Sequence, residues 1–307
     1  MNQLRAVIKS ASTMALLLAI TASPLSADVV FDDSFADGDR AATGATDTNW
    51  WTSSSSSGIE AASGALGLVT GTSGRGIHTT FATQTLTNVG DMLTASYTFT
   101  TPNTIGATSS SFRVGMFDTL GRNLDQDISA SSSSPNALYG LAGTADGLPG
   151  YMLDMDVNTG ASADLNFREH NIGAATGRLM ATTGSGSFSS FSSGPDEGYT
   201  FASDTTYTGT YTIKLISPTE LELTGTLGGV SYSVVDDSFT SSSFGFLGFH
   251  VNSNTFGSSN SQGVPDNGID FSNINVVFTP APVPEPSSAI ILMGGLVSLG
   301  LMRRRNG

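Results

Sequence analysis

From residue 93 to 100 the chain alternates strictly. Leu93, Ala95, Tyr97 and Phe99 are apolar, and Thr94, Ser96, Thr98 and Thr100 stand between them. A period of two sends successive side chains to opposite faces of an extended strand and does not fit the 3.6-residue repeat of a helix. Phe112, Val114 and Met116 repeat the pattern, and residues 151–157 and 165–168 are further strand candidates. Residues 207–216, 220–227 and 230–235 read as successive hairpins. Pro218 marks the first turn, and Gly228-Gly229 suits a tight two-residue turn. Residues 244–251 are almost continuously apolar, as in a strand covered on both faces, and Ile274, Val276 and Phe278 form a last strand. No stretch of ten residues between the chain ends has an amphipathic helical repeat. The serine-rich runs at 53–57, 131–134 and 185–193 read as loops, since strands resume directly after them. The 36 glycines and the many Ser and Thr residues further oppose helix.

The two ends have a different character. Arg5 and Lys9 precede an apolar run at 14–20, and Leu25-Ser26-Ala27 offers a cleavage site, so residues 1–27 read as a signal peptide handled by the secretion machinery and signal peptidase. At the other end Pro280, Pro282, Pro284 and Pro286 force an extended, accessible segment. An uncharged apolar run at 289–302 follows, then Arg303, Arg304 and Arg305. The run is shorter than the ~20 residues of a comfortable membrane span, and Gly294, Gly295 and Gly300 weaken it as a helix. It reads as a short C-terminal transmembrane helix. The arginines stay on the cytoplasmic side by the positive-inside tendency, which places the body outside the inner membrane.

Pro284-Glu285-Pro286, the apolar stretch and the terminal arginine cluster together resemble the PEP-CTERM sorting domain. The resemblance implies that an exosortase, a membrane-embedded processing enzyme, recognises residues 282–307. It implies an inner-membrane-anchored intermediate, then delivery to the envelope, outer surface or medium. It assigns roles to Pro284, Glu285, Pro286, Arg303, Arg304 and Arg305, and to nothing in the body.

The body left by this division is acidic and free of cysteine. Of 12 basic residues five lie in the two end segments, and of 26 acidic residues only Glu285 does, leaving 7 against 25 and a formal charge of −18. Such a surface repels phosphate backbones and argues against nucleic-acid partners. The absence of cysteine rules out disulfides, thiol nucleophiles and thiolate-held metals. A body of this length buries a full core without cross-links.

Many short strands in one unbroken stretch predict an all-β, two-sheet jelly-roll sandwich over residues 28–279, with 280–307 as Pro-rich linker and sorting segment. A second resemblance points the same way. The opening Val30-Phe31-Asp32-Asp33-Ser34-Phe35 with Trp50-Trp51, and the closing residues 268–276, are similar to the ends of concanavalin A-like (laminin G-like) sandwiches. In that fold the first and last strands are neighbours. It hosts lectins, glycoside hydrolases and adhesive modules, so it leaves function open.

Residues able to carry chemistry are sparse. Retaining glucanases of this fold carry Glu-x-Asp-x-x-Glu on one strand, which supplies two carboxylates ~5 Å apart; the run is absent here. Glu220 and Glu222 share one strand face but read as an exposed hairpin edge. Asp154-x-Asp156-x-Asn158-x-Gly160 has the alternating oxygens of a calcium loop, although Leu165 stands where an EF-hand has its bidentate Glu. On a strand the same three residues would line one polar face. Asp32, Asp33, Asp37 and Asp39 read as a turn after the first strand. His78, His170 and His250 lie too far apart to read as a ligand set, and His170 reads as an exposed loop residue. Residues 71–76 are glycine-rich without the context of a phosphate loop and read as a hairpin loop. Trp50 and Trp51 occupy opposite faces of any strand, one for the core and the other a platform for a sugar ring. The expectation is an exported, non-catalytic envelope or matrix protein with a structural or adhesive role and no cofactor. The alternatives are a carbohydrate-binding module, with calcium as its candidate ion, and a divergent glycoside hydrolase. The extracellular partner would be polysaccharide.

Overall fold

The computed structural model describes residues 26–52, 59–69, 74–103, 105, 111–127, 148–157, 165–172, 179–180, 188–191, 201–252, 255–256 and 268–282. The expected signal peptide, the sorting residues Pro284, Glu285, Pro286, Arg303, Arg304 and Arg305, the C-terminal helix and Asn158 lie outside them, apart from residues 26–27. The compact body runs from Ala27 to Ala281.

Among the described residues there are fifteen strands and no helix. In chain order they are β1 (Asp28–Asp33), β2 (Trp51–Thr52), β3 (Ile59–Ala62), β4 (Ala65–Val69), β5 (Arg75–Thr85), β6 (Met92–Thr100), β7 (Ser111–Phe117) and β8 (Gly150–Asp156). They continue with β9 (Leu165–His170), β10 (Phe188–Ser190), β11 (Thr206–Ser217), β12 (Glu220–Leu227), β13 (Val230–Asp236), β14 (Ser243–Val251) and β15 (Gly268–Thr279). They form two antiparallel sheets. The first is ordered β13-β12-β11-β6-β15-β4-β3, with β1 also on β15; the second is β10-β9-β8-β7-β14-β5-β2. The predicted all-β, two-sheet sandwich is what forms. As the resemblance at the ends implied, the first strand pairs with the last, Asp32 opposite Asn275 and Asp28 opposite Phe278.

The inward faces meet in one aromatic-rich core. Phe99, Phe112, Phe249 and Phe271 lie at its centre, with the Phe249 and Phe271 rings 4.6 Å apart. Tyr97 is buried because Gly209 leaves room across the pair of strands; a Cβ there would lie 2.5 Å from its ring. The outward face of the first sheet follows the alternation read at 93–100. Its threonines meet in cross-strand hydroxyl pairs, Thr94 with Thr212 at 3.1 Å, Thr98 with Thr208 at 3.2 Å and Thr100 with Thr206 at 2.9 Å. Thr210 with Thr226 at 2.6 Å and Thr224 with Ser233 at 2.7 Å extend the ladder.

Two sequence readings are corrected and one hairpin is added. Arg75 and Gly76, read as part of a glycine-rich loop, begin the eleven-residue β5, which is buried on both faces at its start and so hides its alternation. The β3–β4 hairpin was not foreseen, because Ala61, Ala62 and Ala65 give little apolar contrast. Glu220 and Glu222 are not at an edge: β12 lies between β11 and β13, and Glu222 stands opposite Lys214 and Val235.

Candidate functional site

The second sheet is buried on its outward face as well. Strand register brings Phe246, Gly248 and His250 of β14 beside Phe117, Gly115 and Arg113 of β7, and these beside Gly150, Met152 and Asp154 of β8. Over this face lies a second apolar cluster containing Phe117, Leu124, Leu148, Met152, Leu179, Met180, Phe188 and Phe246. Met180 adopts φ 65°, a left-handed conformation that costs a non-glycine residue about 1–2 kcal/mol. The packing explains how it is held. Gly115 and Gly248 are paired across the strands, and a Cβ on either would lie 3.1 or 3.0 Å from the Met180 sulfur. The two glycines form a shallow seat, and Met180 fills it.

Beneath this plug is a charged cluster. Arg113 Nε donates to Asp154 Oδ1 at 2.9 Å, and Arg168 Nε donates to Asp154 Oδ2 at 2.9 Å. Arg113 Nη1 also donates to the Met180 carbonyl at 2.7 Å and to Asn252 Oδ1 at 3.1 Å, and lies 3.5 Å from His250 Nδ1. The Arg113 side chain is only 3% exposed, so its charge depends on these partners. Asp154 and Asp156 do share one strand face as their spacing predicts. Both Asp154 oxygens are taken up by guanidinium groups in this arrangement. Among the described residues no group of three or more His, Asp or Glu side chains could hold a metal.

All three histidines belong to this face, a convergence their sequence separation concealed. The His78 ring stacks on Phe246 at 5.2 Å, Phe246 packs edge-on against Phe117 at 5.8 Å, and Phe117 meets His170 at 6.3 Å. His170 is buried at the end of β9, its Nδ1 2.9 Å from the Leu148 carbonyl, which corrects its reading as an exposed loop residue. Burial pulls His78 down to about 4, partly offset by its Nε2 contact with the Leu124 carbonyl at 3.1 Å. Burial, then the nearby Arg113 charge, holds His250 well below its ordinary value. Both rings are therefore neutral at pH 7. The signal for this site was Arg113 itself, a lone cation inside the apolar run FRVGMF.

The tryptophans separate as their adjacency requires. Trp50 is 1% exposed in the main core, and its Nε1 donates to Asp33 Oδ2 at 2.9 Å. Asp33 Oδ1 accepts the Phe35 amide at 2.8 Å, and burial raises the carboxyl above its ordinary value. Trp51 is half-buried on the outward face, paired with His78 and four strands from Asp154, a separation of ~19 Å at ~4.8 Å per strand. Asp37 and Asp39 accept local amides and the Thr43 hydroxyl, as in a turn.

Residues 282–306 match the PEP-CTERM protein-sorting motif. This segment is a PEP-CTERM sorting signal. It marks the chain as an exported protein sorted to the cell envelope and implies processing by an exosortase. No curated protein matches the chain. Among solved structures it is similar to an endo-1,3-beta-glucanase from Streptomyces sioyaensis, at 15% identity over 84% of this chain and 99% of that one, with a TM-score of 0.47. The metal-free Emp46p carbohydrate recognition domain is similar at 12% identity over 74% and 87%, TM-score 0.46. Peanut lectin with a bound 9mer peptide is similar at 13% identity over 83% and 98%, TM-score 0.44. These likenesses concern the arrangement of strands and carry nothing about chemistry.

Proposed function

We propose that this chain is an exosortase-processed protein of the envelope or extracellular matrix, whose β-sandwich body is non-catalytic and serves a structural or adhesive role toward extracellular polysaccharide. The observation that carries the destination is the sorting signal at 282–306. What supports a non-catalytic body is the state of Asp154, the most deeply placed carboxylate on the outward face of the second sheet. A hydrolase of the two-carboxylate type needs an acid or nucleophile free to exchange a proton or attack carbon. Both oxygens of Asp154 instead accept from arginines, and the Met180 carbonyl closes over Arg113.

The second reading, a carbohydrate-binding module, rests on Trp51, which sits half-buried on the outward face and can offer its ring to a sugar. The test is fractionation of cells producing the chain, with a parallel assay on isolated matrix polysaccharide. The expected result is mature protein in the envelope or matrix fraction, with no release of reducing ends or unsaturated products. Turnover of the polysaccharide would overturn the non-catalytic reading. Glycan binding abolished by Trp51→Ala would favour the second.

A further inference from the structure

The outward face of the first sheet carries an ordered array of hydroxyl and amide groups that neither the sorting signal nor the second-sheet cluster uses. One row runs across five strands as Ser231, Thr226, Thr210, Ser96 and Asn275, reaching a charge only at Asp32 on β1. The next row places Thr208, Thr98 and Asn273 side by side. Strand spacing sets the groups ~4.8 Å apart across the sheet and ~6.8 Å apart along it. Cross-strand hydrogen bonds at 2.6–3.2 Å hold the threonine pairs in fixed rotamers, so little side-chain entropy remains to be lost on binding.

We propose that this face is a docking surface for a neutral, hydroxyl-bearing polysaccharide chain; the idea rests on the matrix reading above and assigns its contact surface. Three observations select that occupant. The two rows are uncharged up to Asp32 on a body of formal charge −18, so neither a polyanion nor a cationic partner is favoured there. They also contain no aromatic or large aliphatic side chain, which a protein interface needs for its buried anchors. Each hydroxyl bound to its neighbour still offers lone pairs, and the pair keeps a free donor, so the complementary ligand must both donate and accept. A sugar hydroxyl does both. An ice surface would too, but adjacent strands rotate by roughly 20–25°. A planar lattice would therefore lose register within a few strands, whereas a flexible polymer can follow the twist.

The test is affinity electrophoresis of the purified exported protein in gels containing dextran, laminarin or xyloglucan, with alginate as the charged control. Thr98, Thr208 and Thr210 are replaced together by valine, which keeps shape and strand preference while removing the hydroxyls. Circular dichroism and an unchanged thermal midpoint establish that the variant folds; if it does not, Thr98→Ser with Thr208→Ser serves as the hydroxyl-retaining partner of single valine variants. The expected result is retardation by at least one neutral polymer, insensitive to salt, absent with alginate and about tenfold or more weaker in the triple variant, each net hydrogen bond being worth a few-fold. Equal retardation of wild type and variant would overturn this face while sparing the adhesive reading. Retardation by no neutral polymer, inhibition of ice growth, or a concentration-dependent dimer lost in the variant would overturn it too.

Discussion

Asp154 holds two arginines at once. Replacing it with Asn removes the charge between Arg113 and Arg168 and leaves Arg113, 3% exposed, without an anion. Breaking such a pair from one side costs about 3–5 kcal/mol, which urea denaturation of Asp154→Asn would measure. Arg168→Gln should cost less, because that side chain is 19% exposed and partly solvated. The buried histidines make a second prediction. Protonating His78 or His250 is disfavoured in the folded chain, so the unfolded chain takes up more protons once pH drops below about 6.5. Stability is thus full above that pH and is lost as pH falls toward 4, where folded His78 itself titrates. Thermal midpoints measured between pH 7.5 and 4.5 should decline from about pH 6.5, and His78→Gln should flatten the decline. A midpoint constant down to pH 5 would contradict the assignment of neutral buried rings.

At the scale of elements, the clearest sequence signals were those with one wet face. β6, β11 and β12 alternate because their outward sides meet water, and each was read correctly to within a residue or two. The Gly228-Gly229 turn was legible for the same local reason. Both residues have positive φ, 55° and 92°, and they link β12 to β13 directly. Gly229 has open space where a Cβ would stand, so Gly229→Ala should cost about 1 kcal/mol from backbone conformation alone; a larger loss in chemical denaturation would point to a contact not seen here. In the second sheet β7, β8, β9 and β14 were read to within about two residues, whereas β5, covered on both faces at its start, and the short β2 and β10 were not. The Gly115–Gly248 seat for Met180 was hidden altogether, as it depends on register between strands more than 130 residues apart in sequence. Met180→Ala should lower stability by about 2–5 kcal/mol through the cavity it leaves, measurable by urea denaturation.

For the whole molecule, the body closes on itself before the sorting segment begins. Asp91 is buried, a position that disfavours its charge, yet the amides of Ala281, Asn88 and Thr87 outweigh burial and hold its carboxyl below the ordinary value. That bond to Ala281, at 2.7 Å, fixes the last residue of the compact unit. Asp91→Ala should lower stability by about 1–3 kcal/mol through unsatisfied amides without altering export, checked by denaturation and by secretion of the variant. Mass spectrometry of the mature protein should find Arg303, Arg304 and Arg305 removed in a strain with active exosortase and retained in one without it.

What the sequence determined by itself is whatever depends on neighbours in the chain: the C-terminal sorting signal, the alternating strands, the glycine turn and the all-β class. Each is local, because period, charge and turn chemistry act within a few residues. Only the tertiary structure decided which candidates could act together. It brought three scattered histidines to one buried face, placed Trp50 in the core and Trp51 on the outward face of the second sheet, and turned a calcium-like spacing into an anion held by two arginines. It also gathered threonines from separate strands into two uncharged rows on one sheet face. Those outcomes follow from pairing register and burial between distant segments, where one residue of slip would send every side chain to the opposite face.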